Sequence, residues 1–278
     1  MTNLRQAGGY IPSAVNTSTN QSRPRLILLG ASNLTRGIST VVETARLMLG
    51  SPLEIHACMG HGRSYGQYST VFGRTLPGIL NSGIWETLST DRPAPRTFSL
   101  ITDIGNDIMY GSPPLVISQW VEQCADKLAQ HDARIVITAL PIDSIRSVRP
   151  WQYVIVKSLL FPTRRITFEQ AMSRAIELHD RIAELARRRD ITLIDCEAQW
   201  YGFDPIHIRG AHKASAWARI LAAWTDDLSH RDLRAHASLG RWLHLATRTP
   251  ESWRLLGLNR GRPQPCGRLA DGTTIALF

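Results

Sequence analysis

Cysteine and long apolar runs are both scarce in this chain of 278 residues, and each scarcity excludes a class of protein. The four cysteines form no C-x-x-C pair, and their spacing suits neither a zinc site nor a disulfide framework. No apolar run reaches the roughly 18 to 20 residues that a membrane-spanning helix needs. The polar N-terminus lacks the apolar core of a secretory signal. We therefore expect a cytoplasmic location and thiols that are mostly buried.

Positive charge, by contrast, is abundant and is carried almost entirely by arginine. The formal net charge is +9. Residues 231–278 hold eight arginines and three acidic residues, so this stretch alone carries a net charge of +5. Such a segment suits an acidic partner or an anionic surface, and a merely solvated basic tail explains it equally well. No nucleic-acid-binding motif accompanies the charge.

Short apolar strands alternate with helical patterns along most of the chain. Strands are predicted at 25–29, 53–59, 97–102, 134–140 and 191–195, and helices at 35–49, 68–80, 113–130, 167–190 and 211–228. This alternation predicts a parallel sheet with helices on both faces, where ligands bind beyond the carboxyl ends of the strands. Ser32, Gly62 and Asn106 each follow a predicted strand. They are therefore expected to meet at one edge of the sheet.

Two terminal segments do not follow the alternation. Residues 1–24 are rich in small polar side chains and are predicted to be disordered. Residues 231–278 are interpreted as an arginine-rich C-terminal extension. The predicted main domain therefore spans residues 25–230.

Residues 142–166 are too long for a plain connection between a strand and a helix. They mix aromatic and aliphatic side chains with arginine and lysine. We interpret the segment as a lid insertion, with Trp151, Tyr153 and Phe161 as candidate substrate-binding residues. An amphipathic helix that merely completes the core is an equally good interpretation.

Three strand-end segments carry groups that acyl transfer needs. Ser32 stands in a small-residue turn between a strand and a helix, which would expose its hydroxyl above the helix N-terminus. A serine at this place is also a common helix N-cap. Asp204 precedes His207 by three residues, a spacing at which the carboxylate reaches the imidazole and fixes its tautomer. The Asn106 amide donates to an oxyanion without carrying charge, although asparagine is also frequent in turns.

In this order, the segments resemble the SGNH/GDSL hydrolase family. The four blocks of that family are matched by Gly30-Ala31-Ser32-Asn33, by Gly62 within Gly62-Arg63-Ser64, by Asn106-Asp107, and by Asp204-Pro205-Ile206-His207. The resemblance implies a three-layer α/β/α sandwich with a flavodoxin-like parallel sheet. Three positions depart from the pattern, which indicates a divergent member: Ala31 replaces an aspartate, Gly105 adjoins the asparagine directly, and Ile208 replaces a proline.

The resemblance also implies residue roles. Ser32 would attack the acyl carbon, His207 would transfer the proton, and Asp204 would orient His207. The oxyanion hole would consist of the backbone N–H groups of Ser32 and Gly62 and the side chain of Asn106. Neither a metal nor an organic cofactor is implied. The expected substrate is a small-molecule acyl ester or thioester.

Other interpretations stay open at this point. Transfer of the acyl group to an alcohol would use the same site, and a catalytically weak scaffold would leave the basic tail to bind an acidic partner. Gly62-Arg63-Ser64-Tyr65-Gly66 spells the G-x-S-x-G nucleophile elbow, which would make Ser64 the nucleophile. Because only one strand pair precedes this motif and Ser32 would then have no role, we favour Ser32. The glycines at 60, 62 and 66 miss the spacing of a dinucleotide loop by one residue.

Overall fold

The first strand is buried on both faces and lies at the centre of the fold. β1 (Arg25–Leu29) sends Leu26 and Leu28 into one apolar cluster and Ile27 and Leu29 into another. Strands that are buried on both sides belong inside parallel sheets covered by helices. The computed structural model that shows this describes residues 23–89, 96–160, 165–225, 227–236 and 238–278. All but the last two residues of the predicted disordered segment 1–24 lie outside these ranges.

Within the described residues the main sheet has seven strands. They are β1, β2 (Glu54–Cys58), β5 (Thr97–Ile101), β6 (Arg134–Thr138), β7 (Thr192–Ile194), β10 (Gly267–Arg268) and β11 (Thr274–Leu277). Their order across the sheet is β10-β11-β2-β1-β5-β6-β7. All neighbouring strands are parallel except β10, which pairs with β11 in the antiparallel sense. The five strands from β2 to β7 follow the flavodoxin-like order.

Helices cover both faces of this sheet. The helices are α1 (Ser32–Leu49), α2 (Ile84–Leu88), α3 (Asn106–Met109), α4 (Pro114–Ala129), α5 (Ile142–Arg146), α6 (Pro150–Leu160), α7 (Phe168–Arg188), α8 (Lys213–Ala222) and α9 (Leu239–Ala246). Side chains of α1 and α8 join one apolar cluster, and side chains of α4 and α7 join the other. The predicted three-layer α/β/α sandwich is thereby confirmed.

The segment 68–80 is where the predicted helix is wrong. It forms a hairpin of β3 (Ser69–Val71) and β4 (Arg74–Leu76), followed by one turn of 3₁₀ helix at Ile79–Asn81. Serine, threonine and valine fit a pleated strand, and the glycine after Phe72 permits a tight turn. The hairpin belongs to a second sheet, in which β4 pairs with β8 (Ser252–Leu255) and β8 pairs with β9 (Leu258–Gly261).

The C-terminal segment is not an extension outside the sheet. β11 pairs in parallel with β2, and Phe278 is buried against the ring of His56 with the ring centroids 5.9 Å apart. The boundary predicted at residue 230 therefore does not separate the tail from the main sheet. The composition of residues 231–278 suggested a separate tail because arginine is frequent there. Composition averages over the whole segment, whereas the pairing with β2 involves only its last residues.

The described part of the segment 142–166 contains the helices α5 and α6. α6 leaves Trp151, Val154 and Ile155 about half exposed, and Phe161 lies outside the described residues. Among the residues that the structure describes, no helix is long and apolar enough to cross a membrane. The cytoplasmic location stays a prediction.

Candidate active site

The structure brings Ser32, His207 and Asp204 into one chain of hydrogen bonds. His207 Nε2 lies 2.8 Å from Ser32 Oγ, and His207 Nδ1 lies 2.6 Å from Asp204 Oδ2. Ser32 and His207 are both buried, although 175 residues separate them in sequence. With Asp204 accepting from Nδ1–H, Nε2 is left as the acceptor that faces the serine hydroxyl. This arrangement activates a serine as a nucleophile.

The Asp204 carboxylate is held in its charged form. Burial alone would raise the pKa of Asp204, but the hydrogen bonds with the His207 ring and the Ile206 amide, together with the charge of Arg36, outweigh it and hold the pKa below the ordinary aspartate value. Asp204 Oδ1 also accepts from the Ile206 amide at 3.2 Å. The carboxylate is therefore fixed in position and ionised at neutral pH.

Ser32 occupies the first turn of α1, directly beyond the end of β1. A side chain at Gly30 would place its Cβ 2.6 Å from Thr102, so only glycine allows this close approach. The first N–H groups of a helix have no partner inside the helix. The Ser32 N–H has no acceptor within the part of the chain that the structure describes. It is available to an oxyanion at the positive end of the helix.

Two residues that the sequence analysis did not select hold the serine and the histidine together. Asp103 follows β5 in the left-handed region, at φ 61°, and its carboxylate accepts from the backbone amides of Ala31 and Leu34 at 2.8 and 3.1 Å. Asp103 thus caps α1 from a neighbouring strand. Ala31 stands where the resemblance would place an aspartate. The Asp103 carboxylate contacts the backbone amide of this residue from the end of β5.

The second of these residues is Asn33. Its side-chain amide donates to Asp103 Oδ1 and to the Ile206 carbonyl, both at 2.8 Å. Its oxygen accepts from the Ile208 amide at 2.8 Å. One side chain therefore binds the backbone on both sides of His207. Two features of the sequence could have indicated these residues. Asn33 is a polar residue directly after Ser32, and Asp103 is a carboxylate directly after a predicted strand.

Two of the predicted oxyanion donors, Gly62 and Asn106, lie on separate loops, and the Asn106 loop lines the cavity next to Ser32. Asn106 begins α3 and lines the same cavity as Ser32, and its side-chain amide makes a long contact of 3.5 Å to the Arg63 carbonyl. Gly62 has φ 63°, and a Cβ there would lie 2.7 Å from Val71, so the turn requires glycine. The Tyr110 hydroxyl donates to the Gly62 carbonyl at 2.5 Å and fixes the orientation of this peptide.

The G-x-S-x-G segment is a structural turn. Ser64 is fully buried and donates to Asp107 Oδ1, while Asp107 Oδ2 accepts from the Tyr65 amide at 2.9 Å. Ser64 Oγ also accepts from the Gln67 amide at 2.9 Å. Burial raises the pKa of Asp107 to about 6, although the hydrogen bonds from Ser64 and Tyr65 oppose the rise. Asp107 therefore holds the residues that follow Gly62, and Ser64 hydrogen-bonds Asp107 rather than a histidine.

Arg63 connects the Gly62 loop to the C-terminal strand. Its guanidinium is fully buried and donates to the Pro77 carbonyl at 3.1 Å, to the Met59 carbonyl at 3.3 Å and to the Phe278 carbonyl. A buried guanidinium needs such acceptors because it is always charged. The C-terminal segment is therefore part of the support of this loop.

An apolar cavity of about 160 Å³ extends from Ser32 and Asn106 toward α7. Its wall includes Met109, Leu140, Ile145, Val148, Phe168 and Met172. Burial raises the pKa of Cys196, which also lines the cavity, to about 12, so this thiol stays protonated. Within the described residues, no cluster of three or more His, Cys, Asp or Glu side chains is arranged to hold a metal ion.

The candidate substrate-binding residues have separate positions. Tyr153 lines the cavity and donates to the Ile166 carbonyl at 2.9 Å. Trp151 is not among the cavity-lining residues described, and its ring lies 5.8 Å from that of Phe203, in the loop that precedes Asp204. Trp151 stands two positions before Tyr153 in α6, so the two side chains lie on different faces of the helix. Phe161 lies outside the described residues.

Comparison with known proteins gives matches among solved structures alone. No family model matches the chain, and no curated protein matches it. A lipolytic protein of the G-D-S-L family from Veillonella parvula is 13% identical, with 71% of this chain and 96% of that chain covered and a TM-score of 0.46. The psychrotrophic esterase EstA from Pseudoalteromonas is 10% identical, with 68% and 90% covered and a TM-score of 0.43. TesA is 15% identical, with 72% and 97% covered and a TM-score of 0.42.

Proposed function

We propose that this protein is an SGNH/GDSL-type serine hydrolase that cleaves an ester or thioester through an acyl-serine intermediate. The observation that carries the proposal is the hydrogen-bonded chain from Ser32 Oγ through His207 to Asp204. Ser32 and His207 meet there although 175 residues separate them, and Asn106 lines the same apolar cavity as Ser32. The same convergence is the reason to prefer an enzyme over a silent scaffold.

In the first half of the reaction, Ser32 Oγ attacks the acyl carbon of the substrate and His207 Nε2 takes the hydroxyl proton. Asp204 stabilises the imidazolium that forms, and it stays ionised because its pKa is low. His207 then returns the proton to the leaving alcohol or thiol. The acyl group stays on Ser32 as an ester.

The negative charge that develops on the acyl oxygen needs donors already in place. We assign this role to the Ser32 amide, the Gly62 amide and the Asn106 side chain. The Tyr110 bond to the Gly62 carbonyl and the Asp103 bonds to α1 hold the backbone next to two of these donors before substrate arrives. Donors that are fixed in advance need no reorganisation in the transition state.

In the second half, His207 removes a proton from water, and the hydroxide attacks the acyl-serine. The same donors stabilise the second tetrahedral intermediate, His207 returns the proton to Ser32 Oγ as the bond to the acyl group breaks, and the carboxylic acid leaves. An alcohol in place of water would give the transferase alternative, with an ester as product. The cavity between Ser32 and α7 accepts the acyl chain, and α6 covers it as a lid.

Labelling by a fluorophosphonate probe tests the proposal. The probe forms a covalent bond with an activated serine, so we expect wild-type protein to be labelled and Ser32→Ala to be unlabelled. Ser118→Ala, which changes an exposed serine on α4, is the matched control and keeps full labelling. Tryptic mapping of the adduct should give Ser32. A folded wild-type protein that is not labelled, or an adduct on Ser64, would contradict the assignment.

A further inference from the structure

Two β-hairpins carry large apolar residues at the centre of their turns. Phe72-Gly73 connects β3 to β4, with φ values of 51° and 74°. Leu256-Gly257 connects β8 to β9, with φ values of 49° and 85°. Two-residue turns with positive φ at both positions are best made by Asn-Gly. Each hairpin therefore has a bulky apolar side chain where asparagine would be favoured.

Burial of these two side chains does not offset the unfavourable turn conformation, because both are largely exposed. Phe72 is 83% exposed and Leu256 is 81% exposed. A large residue in the left-handed region is strained, and strained residues concentrate at functional sites. Strain and exposure together at both turns indicate that these side chains bind something outside the molecule.

The two turns lie side by side. The Leu256 amide donates to the Gly73 carbonyl at 2.9 Å, and a Cβ at Gly73 would lie 2.9 Å from Leu256 Cδ2. Further exposed apolar side chains adjoin them on the same two hairpins or next to them: Tyr68, Leu255 and Leu258. We call this surface, together with Phe72 and Leu256, the hairpin tips. Contiguous exposed apolar surface of this kind marks an interaction site.

The charge around the hairpin tips has one sign. Residues 69–76 and 252–261 contain three arginines and no acidic residue. Arg254 and Arg260 are exposed, and the Arg254 guanidinium lies 5.8 Å from the centre of the Tyr68 ring. Apolar side chains flanked by arginines fit an anionic bilayer, since the apolar groups enter the headgroup layer while the guanidinium groups bind phosphate.

The hairpin tips also adjoin the proposed active site. Val71, at the end of β3, packs on Gly62, where a Cβ would lie 2.7 Å from the valine side chain. A partner that binds the hairpin tips would therefore lie close to Gly62, whose amide is a proposed oxyanion donor. This position suits an enzyme that takes apolar acyl substrates from a lipid surface.

We propose that the hairpin tips dock the protein on the surface of an anionic lipid bilayer. Phe72 and Leu256 insert between headgroups, and Arg254 and Arg260 bind the lipid phosphates. A second copy of the chain fits this surface less well. A two-fold interface centred on the tips would place these arginines near their own copies, which opposes association.

Vesicle co-sedimentation of the full chain tests the docking proposal. The vesicles contain phosphatidylcholine alone or equal parts of phosphatidylcholine and phosphatidylglycerol. We expect binding to the anionic vesicles, weakened by salt because the arginine contribution is screened. The double variant Phe72→Asn with Leu256→Asn should bind about tenfold or more weakly, since two inserted apolar side chains are lost. Leu115→Gln, which removes an exposed leucine on α4, is the matched control and should bind like wild type.

Thermal unfolding separates docking from a structural role. Asparagine is better suited than phenylalanine or leucine to these turns, so the double variant should have an equal or higher Tm. Absence of binding to anionic vesicles, or equal binding by the double variant, would overturn the proposal. So would a lower Tm in the double variant, or a dimer in light scattering that this variant alone converts to monomer.

Discussion

Asn33 donates a 2.8 Å hydrogen bond to the Asp103 carboxylate, and the same side chain binds the peptide groups on both sides of His207. The position of the histidine is therefore set by the residue that follows the nucleophile. Asp103 in turn holds the first turn of α1, which carries Ser32. The serine and the histidine are thus positioned by one shared network.

The first prediction concerns this network. Asn33→Ala should lower kcat for a small ester by roughly 10²-fold with little change in KM, because a displacement of about 1 Å between catalytic groups has that effect. Steady-state kinetics would measure it. Asn259→Ala, at an exposed position on β9, should leave kcat unchanged. A wild-type kcat in Asn33→Ala would show that the loop holds His207 without Asn33.

Asn106→Ala tests the side-chain donor of the proposed oxyanion hole. We expect kcat to fall by roughly 10² to 10³, because the donor acts on charge that exists only in the transition state. KM should change little. The measurement is kinetics on the same ester, together with binding of an unreactive ether analogue. Weaker binding of the ether analogue by the same factor would instead assign Asn106 to ground-state binding.

Ala171→Leu tests the cavity as the acyl site. Ala171 lines the cavity from α7, so the larger side chain should shorten it. We expect turnover of an octanoyl ester to fall about tenfold relative to an acetyl ester, since about two methylene groups lose their burial. Ser173→Leu, on the exposed side of α7, provides the control. An equal loss on both esters would exclude this cavity as the acyl site.

Phe278→Ala tests whether the C-terminal segment belongs to the main fold. Phe278 is buried, so its truncation should lower the free energy of unfolding by about 3 kcal/mol. Phe72→Ala removes the same side chain from an exposed position and should change it by less than about 0.5 kcal/mol. Urea denaturation would measure both variants. Equal stability of both variants would restore the view of the tail as an independent extension.

The raised pKa of Asp107 predicts that the free energy of unfolding depends on pH. Burial raises its pKa in the folded protein to about 6, above the ordinary value of 3.8. Its contribution to stability is therefore fully present below pH 3.8 and is lost as the pH rises through about 6.

The change should amount to about 3 kcal/mol relative to Asp107→Asn, which does not ionise. Urea denaturation at a series of pH values would measure it, with Asp180→Asn as an exposed control. Stability curves for wild type and Asp107→Asn that run parallel between about pH 4 and pH 7 would contradict the shift.

Local pattern alone determined much of this protein. The strand that precedes Ser32 and the three-residue spacing of Asp204 and His207 depend on neighbours in sequence. The alternation of strands and helices predicted the three-layer fold, and the fold implied that the strand ends meet. Such features are readable because hydrogen bonding and apolar periodicity within a segment are local.

Tertiary structure alone decided the remaining features, because each depends on contacts between distant segments. Asp103 caps α1 only because β5 lies beside β1 in the sheet. The last strand pairs with β2, and the hairpin at 69–76 pairs with β8, more than 170 residues further along the chain. The sequence pattern of neither segment predicts which strand it pairs with. Strand partners and register are set by which edges remain open once the core has formed. For that reason the sequence determined the reactive groups, and the packing of the sheet determined what holds them in place.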